Sequence, residues 1–540
     1  SMADMAFRFA LWRPAKSDAR MRFLAASVGV LVMGLAGVQA DTYKYRLANR
    51  WGSHLIAADR GPAVPPAPSA QRARRVILVV VDGMRADAAL QMQATDWLKS
   101  RGTCRRTDVG TLTRSRSVYA LLSSGVEADR SGVRTNDVHT PAPMDSIWQV
   151  ARSAGRHVSG VSAEPWWQEL FPDGFDEYRV EPNETDQFAK QPAPDGLVLI
   201  HPGYVDDAGH GFGAASPRYH EAVGRVDHEL LRFLAALDLD RDVVLLTADH
   251  GHTDRGGHGS DTPELRTVLT CAAGRGVAHG PTTLDPVIDA RALPALLAVL
   301  AGLPLPRHLD IESGDLDALL GILDPAAFPA NHAALYRREL ETRHAARDLQ
   351  LSSWLGEANA TWAMLANHER RIQLMRFATS VAAGLLVLLV LAKRRHGSFR
   401  SAAATLGWIA LAFAGSYGAT QLTRGSFDLA AVNTGRSFII AQSLTSAVVL
   451  LALGLLHLRL WRDLDRLLFD GIILTAAQAG LAVAHLVGFG WPLGFPLPAP
   501  GLLFLPYPLA AFMAVTGAAL VGMAIIASRG HPPGRSTPLT

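Results

Sequence analysis

Apolar and polar positions alternate on two scales along this chain. Between about residues 72 and 371, short apolar runs are separated by charged and turn-forming stretches. Residues 76–81, 197–200 and 243–246 are continuous enough to read as strands buried on both faces. Other segments have helical spacing. Ser216 followed by Pro217 reads as an N-cap and first helical residue, after which Val223, Val226, Leu230, Leu234 and Leu237 recur every three or four positions. Strand and helix signals in alternation predict an α/β domain over residues 75–325, with a central, mostly parallel sheet flanked by helices.

The second scale is that of a membrane. Residues 375–528 form a helical transmembrane domain of five spans, at about 375–392, 402–420, 438–456, 467–488 and 502–528. An earlier apolar run, 23–40, follows a basic segment, 1–22, holding Arg8, Arg13, Lys16, Arg20 and Arg22. Its length fits an uncleaved anchor, while Val38, Gln39 and Ala40 also resemble a signal-cleavage site. Residues 41–74 are a proline-rich linker. Residues 326–374 form an amphipathic helical connector whose apolar positions are Leu335, Leu340, Leu349, Leu351, Trp354 and Leu355. With the amino terminus and the 529–540 tail both cytoplasmic, the inner segments also hold Lys393, Arg394, Arg395, Arg400, Arg459, Arg462, Arg466, Arg529 and Arg535. The short outer loops then hold only Arg424 and Arg436. That bias predicts six spans with both termini inside and the α/β domain in the periplasm or the exterior, a bacterial inner membrane being the expected location.

Composition sharpens this picture. At 49% hydrophobic residues the chain is too apolar for a purely soluble enzyme, and its charged half is too polar for a pure transporter. A net charge of +3 with no long basic run excludes nucleic acid as an implied partner. The two cysteines, Cys104 and Cys271, read as free thiols, a single bridge being the alternative.

Three strand ends carry the chemistry. The run 76–81 leads into Asp82, the run 197–200 into Asp206 and His210, and the run 243–246 into Asp249, His250 and His258. Carboxylates and imidazoles in this number suit two divalent ions, zinc above all. Two such ions clamp the oxygens of a phosphoryl transfer and activate a hydroxyl. Thr111, Thr113, Ser115 and Ser117, just before a helix-compatible stretch, supply hydroxyls, and spacing alone does not choose among them.

The motifs VVVDGMR around Asp82, TRSRSVYALLSSG from Thr113, DDAGH from Asp206, DHG at Asp249 and GGHG around His258 resemble the alkaline phosphatase superfamily. The similarity is to its type I phosphodiesterase/nucleotide pyrophosphatase branch and the GPI ethanolamine-phosphate transferases. The resemblance implies an alkaline-phosphatase-like fold with one metal on Asp206, His210 and His258 and a second on Asp82, Asp249 and His250. It also implies Thr113 as the nucleophile bridging to the second metal, and Asn136 as a phosphate-oxygen donor. Arg114 and Arg116 are further candidates for phosphate contacts. His252 lies outside the family pattern and is expected to support a ligand or face solvent. Asp207 is one residue too close to His210 to replace Asp206. The Cys/Ser-x-Pro-x-Arg motif of sulfatases is missing, which leaves a phosphate ester as the substrate class.

The expected function is a membrane phosphoethanolamine transferase. It would move the headgroup of a phospholipid, phosphatidylethanolamine by resemblance, through a phosphothreonine to a glycan or glycolipid hydroxyl. Polar Gln442, Gln478 and His485 within apolar runs, and a proline-rich outer loop at 490–501, suggest that the spans help position the lipids. The alternatives are a membrane-anchored phosphodiesterase that hydrolyses nucleotides or lipid headgroups, and an inactive membrane scaffold.

Overall fold

The computed structural model describes residues 73–529 other than 137, 191–194, 280–283, 327, 329, 357, 359–360, 425–427, 433–434 and 490–499. The expected anchor at 23–40, most of the linker and most of the proline-rich loop lie outside the described residues.

Eight strands form one sheet: β1 (Arg75–Val80), β2 (Gly102–Asp108), β3 (Val158–Ser162), β4 (Glu177–Val180), β5 (Gly196–His201), β6 (Asp242–Thr247), β7 (Thr267–Gly274) and β8 (Ile288–Asp289), in the order β4-β3-β5-β1-β6-β7-β2-β8. β1 pairs in parallel with β5 and β6, β3 with β4 and β5, and β2 with β8. Among these described strands, the antiparallel pairs are β6–β7 and β2–β7. The mostly parallel sheet is therefore as the pattern predicted. Its central strands β1, β5 and β6 are the three continuous apolar runs, and Val76, Leu199 and Leu245 are wholly buried because helices cover both faces.

Three helices matter for the site: α1 (Ser115–Ser124), α2 (Tyr204–Phe212) and α3 (Pro217–Ala235). α3 starts where expected, with the Ser216 side chain accepting from Tyr219 N–H and proline in its first turn. Its stripe of Val223, Val226, Leu230 and Leu234 is buried.

The two cysteines are not free thiols. β2 and β7 run antiparallel with Cys104 directly opposite Cys271, and the pair forms a disulfide. Strand register, which composition does not reveal, brings the two sulfurs together.

A long helix, α4 (Ala330–Leu355), leads out of the α/β half. Its inward face is Ala333, Tyr336, Leu340, Arg343, Arg347 and Leu351, spaced as a helix requires, and Arg347 pairs with Asp310 at 2.6 Å. Leu335 and Leu349, expected on the packed face, are exposed because they fall between these positions.

Among the described residues, five helices long and apolar enough to cross a membrane follow. They are α5 (Trp362–His396), α6 (Phe399–Arg424), α7 (Gly435–Trp461), α8 (Leu464–Phe489) and α9 (Pro506–Arg529). Exposed Leu386, Val448 and Leu451 suit lipid contact, while polar groups pair with one another inside the bundle. Gln442 accepts from Thr420 (2.5 Å), Gln478 donates to Thr516 (3.1 Å), and His485 meets the Leu502 carbonyl (2.9 Å). Buried Asp470 of α8 accepts from Thr405 of α6 at 2.9 Å. It also lies 3.3 Å from His396 of α5 and 2.9 Å from His457 of α7, so one carboxylate ties four helices together.

The two halves touch beside α1. Leu112 joins an apolar cluster with Leu429, Phe438, Phe489, Leu503 and Phe504, and Arg255 donates to the Thr423 carbonyl at 3.1 Å.

Candidate metal centre

Strand register sets the site. β1 pairs Val79 with both Ile200 and Leu246, so the chain leaves three neighbouring strands at one level. Asp82 emerges from β1 and Asp249 from β6. α2, which follows β5, carries Asp206 and His210 four residues apart on one face. The β1 and α2 segments meet at Gly83, where a Cβ would lie 2.8 Å from Asp206 Cα and where φ is +72°. Both facts require glycine.

The donors gather in two groups, Asp206, His210, His252 and His258 in one and Asp82, Asp249 and His250 in the other. Within each group the donor atoms lie within 4.8 Å of one another. In the second group each carboxylate is anchored by one oxygen and leaves the other bare. Asp82 Oδ2 accepts from Tyr119 at 2.5 Å and lies 3.3 Å from His201 Nε2. Among the described residues, buried Asp82 Oδ1 meets no hydrogen-bond partner. Asp249 Oδ1 accepts from the Gly83 and His250 N–H groups at 3.0 and 2.9 Å, and its Oδ2 is likewise buried without a partner. In the first group Asp206 Oδ1 meets His252 at 2.6 Å and Oδ2 lies 3.3 Å from His210.

Hydrogen-bond partners also fix the imidazoles. His258 Nδ1 faces the Thr113 carbonyl at 2.6 Å and His250 Nδ1 faces the Gly251 carbonyl at 3.2 Å, so both rings carry hydrogen on Nδ1 and present a bare Nε2. His258 Nε2 lies 3.1 Å from His210 Nε2, and His250 Nε2 lies 3.2 Å from Asp249 Oδ2. Bare carboxylate oxygens and imidazole nitrogens turned towards one another are the donor set a divalent cation neutralises.

The electrostatics agree. Burial and the charges of Asp82 and Asp206 push the Asp249 carboxyl well above its usual range. Burial would also raise Asp206, but hydrogen bonds from His210 and His252 hold it well below. Burial depresses His250 to about 4, and burial with the neighbouring His250 depresses His258 well below its ordinary value. Both imidazoles are thus neutral at pH 7, as metal ligands must be.

Thr113, the nucleophile the resemblance implied, and Ser115, another candidate hydroxyl, are placed differently. Thr113 is buried and its hydroxyl is engaged by backbone, donating to the Ser260 carbonyl at 2.8 Å and accepting from Gly259 N–H at 2.9 Å. The hydroxyl that reaches the second group belongs to Ser115, the first residue of α1, whose Oγ lies 3.3 Å from His250 Nε2. Asn136 is beside it, accepting from Arg116 N–H at 3.2 Å. Arg114 precedes the helix and borders Gly259. Arg116, a candidate for phosphate contacts, has other partners. Its guanidinium is fully buried, ion-paired to Glu169 at 2.5 Å, bonded to the Val138 carbonyl and stacked over Trp166 at 4.7 Å. Asp207 stands apart from the donors, accepting from Asn183 at 2.5 Å.

Sequence reading missed Tyr119 and His201. Tyr119 lies four residues after Ser115 and so on the same helix face, a spacing that could have flagged it. His201 ends β5, a position that alone carries little signal.

The family model of type I phosphodiesterase / nucleotide pyrophosphatase matches residues 175–269, which contain both Asp206 and His258. Over 334 residues, 52% of this chain, the sequence is 26% identical to GPI ethanolamine phosphate transferase 1 of Gibberella zeae. Over 43% of the chain it is 26% identical to the catalytic subunit of human GPI ethanolamine phosphate transferase 2. The chain spans 33% and 27% of the length of these two relatives. Among solved structures, murine ectonucleotide pyrophosphatase/phosphodiesterase 5 is similar at 17% identity with a TM-score of 0.38, covering 43% of this chain and 96% of that one. Residues 175–269 thus match the type I phosphodiesterase/nucleotide pyrophosphatase family, and about half of the chain is similar in sequence to GPI ethanolamine phosphate transferases.

Proposed function

We propose that the chain is a membrane-bound phosphoethanolamine transferase working with two divalent ions, zinc by its donor set. Asp206, His210 and His258 would hold one ion and Asp82, Asp249 and His250 the other. Such ions, when bound, polarise phosphoryl oxygens and make a nearby hydroxyl acidic enough to attack.

The observation that carries this reading is the Ser115 hydroxyl at 3.3 Å from His250 of the second donor group, at the start of a helix. It favours Ser115 over Thr113 as nucleophile. Ser115 Oγ attacks phosphorus in phosphatidylethanolamine, forming a serine O–P bond as the O–P bond to diacylglycerol breaks. The serine proton leaves on the diacylglycerol hydroxyl. A glycan or glycolipid hydroxyl then takes the phosphoethanolamine, and its proton returns to Ser115. The Asn136 amide, with Arg114 as a second contact, steadies the non-bridging phosphate oxygens at the α1 N-terminus.

Names of the relatives support ethanolamine phosphate as the headgroup moved and a glycan as the acceptor class. Contact of Leu112 with the helix bundle supports delivery of the donor from a bilayer. Placement in a bacterial inner membrane, with the α/β half in the periplasm, rests on the charge bias and suits the Cys104–Cys271 bridge.

A second reading is a phosphodiesterase in which water takes the phosphoryl group. Asn136 beside Ser115 and the matching family model favour it. The test is to incubate purified full chain with phosphatidylethanolamine carrying a fluorescent acyl chain. Diacylglycerol release by wild type, lost in Ser115→Ala, is expected. No release alongside rapid cleavage of a nucleotide diester would establish the second reading, and neither reaction in zinc-loaded protein would overturn both.

A further inference from the structure

His252 belongs to the first donor group by distance, yet its hydrogen bonds set it apart. It is fully buried, and its Nδ1 accepts from Gly257 N–H at 3.2 Å. The ring hydrogen therefore sits on Nε2, which lies 2.6 Å from Asp206 Oδ1. A metal-ligating His252 would need that Nε2 bare and hydrogen on Nδ1, where it would collide with the hydrogen of Gly257. His250 and His258 have the opposite arrangement, with Nδ1 on a carbonyl and Nε2 bare.

Packing holds the ring in this pose. Gly209, on α2 between Asp206 and His210, lies so close that a Cβ there would come within 2.4 Å of His252 Cδ2. The ring thus fills a slot against α2 and presents one donor to one carboxylate oxygen.

We propose that His252 is a positioning residue. It ties down Asp206 Oδ1 so that Oδ2, 3.3 Å from His210 Nε2, is the oxygen offered to the first ion. Tyr119 does the same for Asp82 in the second group, donating to Oδ2 and leaving Oδ1 bare. The inference rests on the two-ion reading and predicts that His252 governs the first ion and not the second.

The test is zinc binding by the full chain in detergent, with metal content measured by mass spectrometry across a series of zinc buffers. His252→Ala and His252→Gln are compared with wild type, because glutamine keeps a donor at the reach of Nε2. Wild type is expected to hold two ions. His252→Ala should release one at zinc levels roughly 10 to 100 times higher than wild type does while retaining the other, and His252→Gln should restore most of the loss. Retention of the second ion in the alanine variant also reports that it has folded. In cobalt-substituted protein the visible spectrum should keep its nitrogen-ligand intensity in the glutamine variant. Two ions held with wild-type affinity by His252→Ala would overturn the inference alone. A glutamine variant as defective as alanine would make His252 a ligand and also overturn it. Wild type binding fewer than two ions would overturn the two-ion reading and this inference together.

Discussion

The Ser115 hydroxyl faces His250 Nε2 at 3.3 Å, while the Thr113 hydroxyl, two residues earlier, is held between the Ser260 carbonyl and Gly259 N–H. The helix start separates their roles. Residues before it are extended and tie α1 to the His258 loop, and the first helical residue turns inward to the donors. Ser115→Ala should therefore lower the transfer rate by a factor on the order of 1,000 or more. Thr113→Ser, which keeps both backbone bonds, should cost less than about tenfold. Initial rates of diacylglycerol release by the two variants check the contrast.

Tyr119 holds Asp82 Oδ2 from the same face of α1 that bears Ser115. Tyr119→Phe removes that donor and leaves the ring packing, stacked on Trp167 at 4.3 Å, in place. The expected result is a loss of metal affinity by roughly 10 to 100 times at the second group alone, measured by competition with a zinc chelator.

Acid should weaken the metal-free fold through His250. Its pKa of about 4 in the folded chain compares with roughly 6.5 when unfolded, so the unfolded chain binds the extra proton between those values. The stability this neutral, buried imidazole contributes is fully present above about pH 6.5 and is lost as pH falls towards 4, by up to about 3 kcal/mol. In chelator-treated protein, the melting temperature should fall less between pH 6.5 and 4.5 in His250→Gln than in wild type.

The Cys104–Cys271 bridge closes a loop of sequence separation 167. Removing it should destabilise the α/β half by an amount on the order of 4 kcal/mol. Reductant should lower the melting temperature of wild type and leave a Cys104→Ala, Cys271→Ala double variant unmoved at the lower value.

Much of this architecture was legible because it is local. Three apolar runs marked the central strands, Ser216 and Pro217 marked a helix start, and Asp82, Asp206, His210, Asp249, His250 and His258 sat at strand ends where parallel sheets open. What stayed hidden depends on distant partners. Arg116 is buried only because Glu169 and Trp166 receive it, and Cys104 finds Cys271 only through the β2–β7 register. Ser115 and Thr113 look alike in a sequence, since both are hydroxyls beside a helix. Only the direction in which α1 begins tells them apart.

The most direct measurement is to mix the full chain with phosphatidylethanolamine, quench in acid within the first turnover, and map the phosphoethanolamine adduct by peptide mass spectrometry. A mass increase on Ser115, missing from Ser115→Ala and present in Thr113→Ser, is the predicted result. An adduct on Thr113, or turnover undiminished in Ser115→Ala, would contradict the account.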